Sequence, residues 1–141
     1  MFVKQLSVFL ENKEGRLDKV LKTLADGGIN LLSASLADTS EFGVLRLLAD
    51  DADKAKSILK DAGFTARIDT VIAVVVPDAV GSFAKVCAMI HEAGINISYI
   101  YGLSIDGEGT PIAIKTDNND KVVEILNGAG VKMISPEELV R

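Results

Sequence analysis

Two short loops hold the residues best suited to chemistry. One reads Asn12-Lys13-Glu14-Gly15-Arg16-Leu17 and the other Pro77-Asp78-Ala79-Val80-Gly81-Ser82-Phe83; each sets a short polar side chain three residues ahead of a glycine at the start of a helical pattern. Asn12 or Asp78 could cap its helix by accepting a hydrogen bond from the first turn, with Gly15 or Gly81 bending the loop. The same atoms could instead bind a ligand. Free backbone N–H groups and the positive end of the helix dipole suit a small carboxylate, and the Asn or Asp side chain can accept from an ammonium group beside it. A ligand carrying both groups is what such loops select. Asn12 is neutral and Asp78 acidic, so the two loops should bind it unequally.

Other constellations are weaker. The single histidine, His91, flanks the apolar stripe of its helix and reads as a partly exposed structural residue. Cys87 lies one turn before it, but two ligands without a third make no metal site, and Cys87 occupies a stripe position. Gly107-Glu108-Gly109 lacks the lysine and following helix of a phosphate loop and reads as a turn. Asp50, Asp51 and Asp53 precede a helix, where negative charge favours the dipole and can cap it. No catalytic set, cofactor motif or metal site emerges.

The elements that position the loops come from a repeat. A shift of 66 lays Gly15 on Gly81, Leu17 on Phe83, Val20 on Val86, and Gly28-Ile29-Asn30 on Gly94-Ile95-Asn96. After one extra residue in the next hairpin the shift is 67, and Leu45 and Leu47 fall on Ile112 and Ile114, and Ala62-Gly63 on Ala129-Gly130. In each copy an alternating strand (Leu6, Val8, Leu10; Ile72, Val74, Val76) precedes a helix striped by Leu17, Val20, Leu21 and Leu24 or by Phe83, Val86, Cys87 and Ile90. Gly27-Gly28 and Gly94 end these helices. Second strands are expected over Ile29 to Ala37 and Ile95 to Ser104, and third strands ending near Ala49 and Thr116. A second helix then leads through Gly63 or Gly130 into a fourth strand. This order predicts an α+β fold: two ferredoxin-like βαββαβ units, 1–70 and 71–141, with antiparallel sheets side by side and helices on one face. No linker separates them. Val71, Ala73 and Val75 are apolar where a solvated face would be polar, which predicts cover by a second chain in a homodimer.

Composition narrows the partners. Twenty carboxylates against 15 Lys and Arg give a net charge of −5, which disfavours nucleic acid and anionic membranes. No apolar run approaches the roughly 20 residues that span a bilayer, Met1-Phe2-Val3-Lys4 does not resemble a secretory signal, and the lone cysteine suits a reducing compartment; cytoplasmic residence is expected.

Asn12-x-x-Gly15-x-Leu17 with Gly28-Ile29-Asn30-Leu31, and Asp78-x-x-Gly81-x-Phe83 with Gly94-Ile95-Asn96-Ile97, resemble the two signatures of the ACT domain, a module that senses amino acids in metabolic regulation. The resemblance covers nearly the whole chain. It implies paired ACT units, their second strands meeting in one sheet, with pockets at the seam between one unit's first loop and the other's second strand. The implied ligand residues are Asn12, Glu14, Gly15, Arg16 and Leu17 with Asn30, Leu31, Leu32 and Ser33, and Asp78, Val80, Gly81, Ser82 and Phe83 with Asn96, Ile97, Ser98 and Tyr99. It further implies an amino acid as ligand, no cofactor, and a regulated enzyme that the chain itself does not identify. Where the family loop often carries Arg-Pro, this chain has Lys13-Glu14 and Ala79-Val80, which bears on ligand identity.

Rival users of the fold fare less well. RNA recognition needs a basic surface and strand aromatics, against five Phe, two Tyr and a negative charge. A copper-chaperone unit needs Cys-x-x-Cys in the first loop. An acylphosphatase-like hydrolase is the enzyme alternative, since Arg16 and an Asn near the second strand are present, but its glycine-rich first loop is missing. An assembly module with vestigial pockets is the third reading.

Overall fold

The computed structural model describes residues 2–11, 13–38 and 42–139. The elements run β1 (Val3–Glu11), α1 (Arg16–Asp26), β2 (Leu31–Asp38), β3 (Phe42–Ala49), α2 (Ala52–Asp61), β4 (Thr65–Val76), α3 (Ser82–Glu92), β5 (Ile97–Gly102), β6 (Thr110–Thr116), α4 (Asn119–Gly128), β7 (Lys132–Met133) and α5 (Pro136–Leu139). The chain divides into two compact units, Lys4–Asp69 and Met1–Val3 with Thr70–Arg141.

In the first unit the strands lie in the order β2-β3-β1-β4. β3 is antiparallel to both neighbours, with Leu6 opposite Leu47 and Ala34 opposite Leu47. Alternation sends Leu6, Val8, Leu10, Leu45 and Leu47 to one face, where they pack with Val20 and Leu24 of α1 and Ala55 and Leu59 of α2. The second unit repeats this as β5-β6-β4-β7. Ile72, Val74, Val76, Ile112 and Ile114 meet Val86 and Ile90 of α3 and Val122 and Leu126 of α4. Both units are therefore the expected split βαβ sandwich of one sheet and two helices.

As the sequence from Phe64 to Val76 leads one to expect, the fourth strand of the first copy runs without a break into the first strand of the second, as one strand of 12 residues. Two features depart from the expectation. The matching fourth strand at the end of the second copy, β7, has only two residues, and the chain then turns into the short helix α5. The other departure corrects the argument for a homodimer: Val71 and Ala73 are 0% and 1% exposed within the single chain and Val75 is half-buried, so their apolar character does not call for a second one.

Ile114 is fully buried between α3, α4 and β4 in the second core. Truncation to alanine leaves a cavity that the surrounding helices cannot fully close; Ile114→Ala is expected to cost about 2–5 kcal/mol, read from the denaturant midpoint at unchanged slope.

Candidate functional site

Each helix at the candidate loops starts on a glycine in the left-handed region, Gly15 at φ 83° and Gly81 at φ 86°. A Cβ at either would meet nothing within 4 Å, so the demand for glycine is conformational. At α3 the loop closes on its own backbone: Ala79 N donates to Pro77 O at 2.9 Å and Ser82 N to Ala79 O at 3.1 Å, before the first helical bond from Lys85 N to Gly81 O at 2.9 Å. No side chain caps this helix, which corrects the capping role considered for Asp78. The left-handed glycine takes the cap position that an Asp would need, and leaves the Asp78 carboxylate exposed and free for a ligand. Asn12 lies outside the described residues.

The two loops have diverged around this common frame. In the first unit, Lys13 forms an ion pair with Glu11 at 3.0 Å. Its hydrogen bond and charge, with the further charge of Arg16, hold the Glu11 carboxyl below the usual carboxylate range. The Arg16 guanidinium stacks over the Phe64 ring, 4.8 Å from its centroid, with the Lys19 ammonium at 6.0 Å. The buried Arg16 Nε has no hydrogen-bond partner, so the ring face is its main compensation. What remains open is a depression of about 100 Å³ among Leu10, Glu11, Lys13, Arg16, Leu17 and Leu36.

The second unit has Ser82 and Val131 at the positions of Arg16 and Phe64 in the repeat. A groove of about 630 Å³ opens there. Its walls are the loop residues Pro77, Asp78 and Ser82, the α3 face of Lys85, Val86 and Met89, the hairpin residues Glu108 and Gly109, and the turn into β7 through Val131 and Lys132. Gly109, at φ 85°, must be glycine: a Cβ would lie 2.6 Å from Val75 Cγ1 and 2.9 Å from the Val76 carbonyl oxygen. Val80 and Phe83 are exposed, whereas Leu17, the counterpart of Phe83, packs on its core.

The second-strand residues are held by a clamp repeated in both copies. Asn30 N donates to Asp50 Oδ1 at 3.1 Å while Asp50 N donates to Asn30 O at 3.0 Å. Asn96 and Asp117 make the same pair of bonds at 3.3 and 3.2 Å. Just beyond, the register with the third strand shifts between Leu31 and Ser33 and between Ile97 and Tyr99, leaving Leu32 and Ser98 at the irregularity. Bulges of this kind re-aim side chains and recur beside binding sites. Ser33 is buried, and Tyr99 stacks on Tyr101 with centroids 6.3 Å apart.

Within one unit the structure does not bring the two halves of the candidate site together. Val76, leading into the Asp78 loop, pairs with Thr110, while Ile97 pairs with Thr116, six residues or roughly 20 Å along β6. In the first unit Glu11 pairs with Phe42 and Leu31 with Ala49, a separation of the same order. Sequence reasoning treated Asp50 as a helix cap and missed its clamp, and it passed over Lys85, Glu108 and Lys132; the only available signal was that Lys85 repeats Lys19. Asp51 does cap α2, accepting from Lys54 N at 3.0 Å. His91 is exposed, and no group of three His, Cys, Asp or Glu residues suited to a metal occurs among the described residues. Nor is any described helix long and apolar enough to cross a membrane.

Comparison with known proteins gives a consistent result. The family model for an ACT domain pair matches residues 1–141. The chain is similar to protein BT0572 from Bacteroides thetaiotaomicron, at 36% identity over 100% of this chain and 97% of that one, with a TM-score of 0.91. The regulatory subunit of aspartate kinase shares the fold: the Thermus thermophilus protein at TM-score 0.65, 16% identity and 89% and 91% coverage, and the Thermus flavus protein at 0.61, 18%, and 90% and 92%. No curated protein matches the chain.

The contrast between the two aspartates is testable. Asp51→Ala removes a side-chain cap and should cost about 1 kcal/mol, whereas Asp78→Ala removes none and should stay within about 0.5 kcal/mol of the parent in the same denaturant titration.

Proposed function

The chain belongs to the family of paired ACT domains, and from that membership we propose that it is a non-catalytic regulatory protein that senses an amino acid where the first loop of one ACT unit meets the second strand of another. The observation that carries the proposal is the duplicated half-site. Each unit offers an uncapped or glycine-started helix at one end and a clamped, bulged second strand at the other, roughly 20 Å away, so that only two units can complete a pocket. The ligand's carboxylate would meet first-turn N–H groups near Gly15 or Gly81, and its ammonium the polar loop side chain, Asn12 or Asp78. Glu14, Arg16, Leu17, Val80, Ser82 and Phe83 would border it from the loops. Asn30, Leu31, Leu32 and Ser33, or Asn96, Ile97, Ser98 and Tyr99, would border it from the strands.

The aspartate kinase proteins named above are regulatory subunits, and a corresponding role for this chain would be to act on a separate enzyme, in the cytoplasm, where Cys87 stays reduced. We further propose a homodimer, now on the ground of the exposed large apolar side chains Leu36, Phe42, Val80 and Phe83 rather than the buried Val71 and Ala73. Light scattering should give twice the chain mass at micromolar concentration; a monomer would remove this part of the proposal.

An amino acid at a hundred times its dissociation constant adds about 2.7 kcal/mol of stability, a rise of several degrees in Tm for a chain of this size. A thermal-shift series across the proteinogenic amino acids at millimolar concentration is the test, and no rise with any of them would sink the sensor reading. With the ligand found, calorimetry should resolve two affinities, because Asp78 carries a charge that Asn12 lacks. Asp78→Asn should bring them together without loss of fold.

A further inference from the structure

An aspartate or asparagine followed by glycine can react with its own main chain: the glycine nitrogen attacks the side-chain carbonyl carbon and closes a five-membered succinimide. Glycine is the favourable follower because it has no Cβ to crowd the attack. Three such pairs occur in this chain, Asp26-Gly27, Asp106-Gly107 and Asn127-Gly128. Asp26, Asp106 and Asn127 are all exposed, so access alone does not separate them. The state of the glycine nitrogen does. Gly27 N donates to Thr23 O at 3.2 Å, and the helix end behind it is sealed by Gly28 N to Ala25 O and Ile29 N to Leu24 O, both at 3.0 Å. Gly128 is the last residue of α4, its nitrogen inside the helical ladder, and Gly130 N to Asn127 O at 3.1 Å with Val131 N to Leu126 O at 3.0 Å seals that end in the same way. Ring closure has to turn ψ of the Asp or Asn away from its helical value and release the nitrogen from its bond, so both helix ends resist it.

Asp106-Gly107 has neither restraint. It lies in the exposed hairpin between β5 and β6, where Gly107 N makes no hydrogen bond among the described residues. Gly107 sits at φ 147°, a conformation open to glycine, and nothing lies within 4 Å of where its Cβ would be. The Asp106 carboxylate is in no ion pair among the described residues. The hairpin is pinned on both sides of this gap. Leu103 N donates to Pro111 O at 2.9 Å, and Gly109 packs so closely that a Cβ on it would fall 2.6 Å from Val75 Cγ1. The tip can therefore change its covalent path while the strands stay paired. We propose that Asp106 is a site of isoaspartate formation in the folded protein. Gly107 N bonds to Asp106 Cγ, the amide proton and the carboxyl hydroxyl leave as one water, and a second water then opens the ring at either carbonyl. Opening at Cγ restores aspartate; opening at the main-chain carbonyl routes the chain through the side chain and leaves the former main-chain carboxyl free. Water is the only reactant. The product sets that free carboxylate, and one more main-chain carbon, beside Glu108 and Gly109 of the groove wall. The inference stands apart from the amino-acid-sensor reading.

Heavy-oxygen water reads the reaction, since each ring opening installs one oxygen from solvent. The folded full-length chain is incubated in it and digested with trypsin in ordinary water, and the peptides 86–115, 23–46 and 122–132, which hold Asp106, Asp26 and Asn127 in turn, are analysed by mass. Label is expected to enter 86–115, together with a second chromatographic form of that peptide that accepts a methyl group from a protein isoaspartyl methyltransferase. The other two peptides should label slower by about tenfold or more, because each must first open its helix end. In urea the order should reverse, since Asn127 releases ammonia more readily than Asp106 releases water once no helix holds Gly128. Asp106→Glu keeps the charge but requires a six-membered ring that closes far more slowly, and should remove both label and methyl acceptance from 86–115 with Tm unchanged. Label that enters 122–132 of the folded chain as fast as 86–115, or methyl acceptance that survives Asp106→Glu, overturns the proposal. So does a peptide 86–115 that stays unlabelled in the folded chain.

Discussion

Helices α1 and α3 each have 11 residues, enough to carry the chain about 16 Å back along its sheet before the second strand starts. The return trip is forced by the burial of Val20 and Leu24, or of Val86 and Ile90, against the strand face, since an amphipathic helix must lie along the sheet to cover its apolar stripe. That crossover separates the first loop and the second strand in space although a helix alone separates them in sequence.

Glycine and aspartate serve the two ends differently. At the loop end, a left-handed glycine starts the helix and the backbone satisfies itself, so Asp78 is released from structural duty. At the strand end, Asp50 and Asp117 are bound into place by reciprocal bonds with Asn30 and Asn96, and that clamp fixes where the bulge falls. Carboxylates that look alike in sequence thus have opposite roles: Asp50 and Asp117 anchor backbone, and Asp78 faces solvent.

Divergence between the copies is concentrated where the common frame tolerates it. Core positions keep their volume class, Val20 with Val86 and Leu59 with Leu126, because a cavity or an overpacked site costs kilocalories. Arg16 and Phe64 against Ser82 and Val131 is a paired change at the edge of the core, and it turns a filled, stabilised edge into an open groove.

The repeat, the strand and helix periods and the glycine stops were legible in the sequence because they are local: alternation, a stripe at three and four residues, and a left-handed stop each depend on neighbours along the chain. They determined the split βαβ order and both candidate loops. What the sequence could not decide is anything that depends on which residues meet across the fold. The shortness of β7 turns on pairing partners, and the burial of Val71 and Ala73 depends on what covers a face whose pattern is equally apolar whatever covers it. The Asp50 clamp joins residues 20 apart, and the Arg16–Phe64 stack joins residues separated by two helices and two strands, distances at which no periodicity carries a signal. Tertiary structure alone therefore decided that Asp78 caps nothing, that the first loop and the second strand lie at opposite ends of a unit, and that the second unit contains a groove where the first is filled.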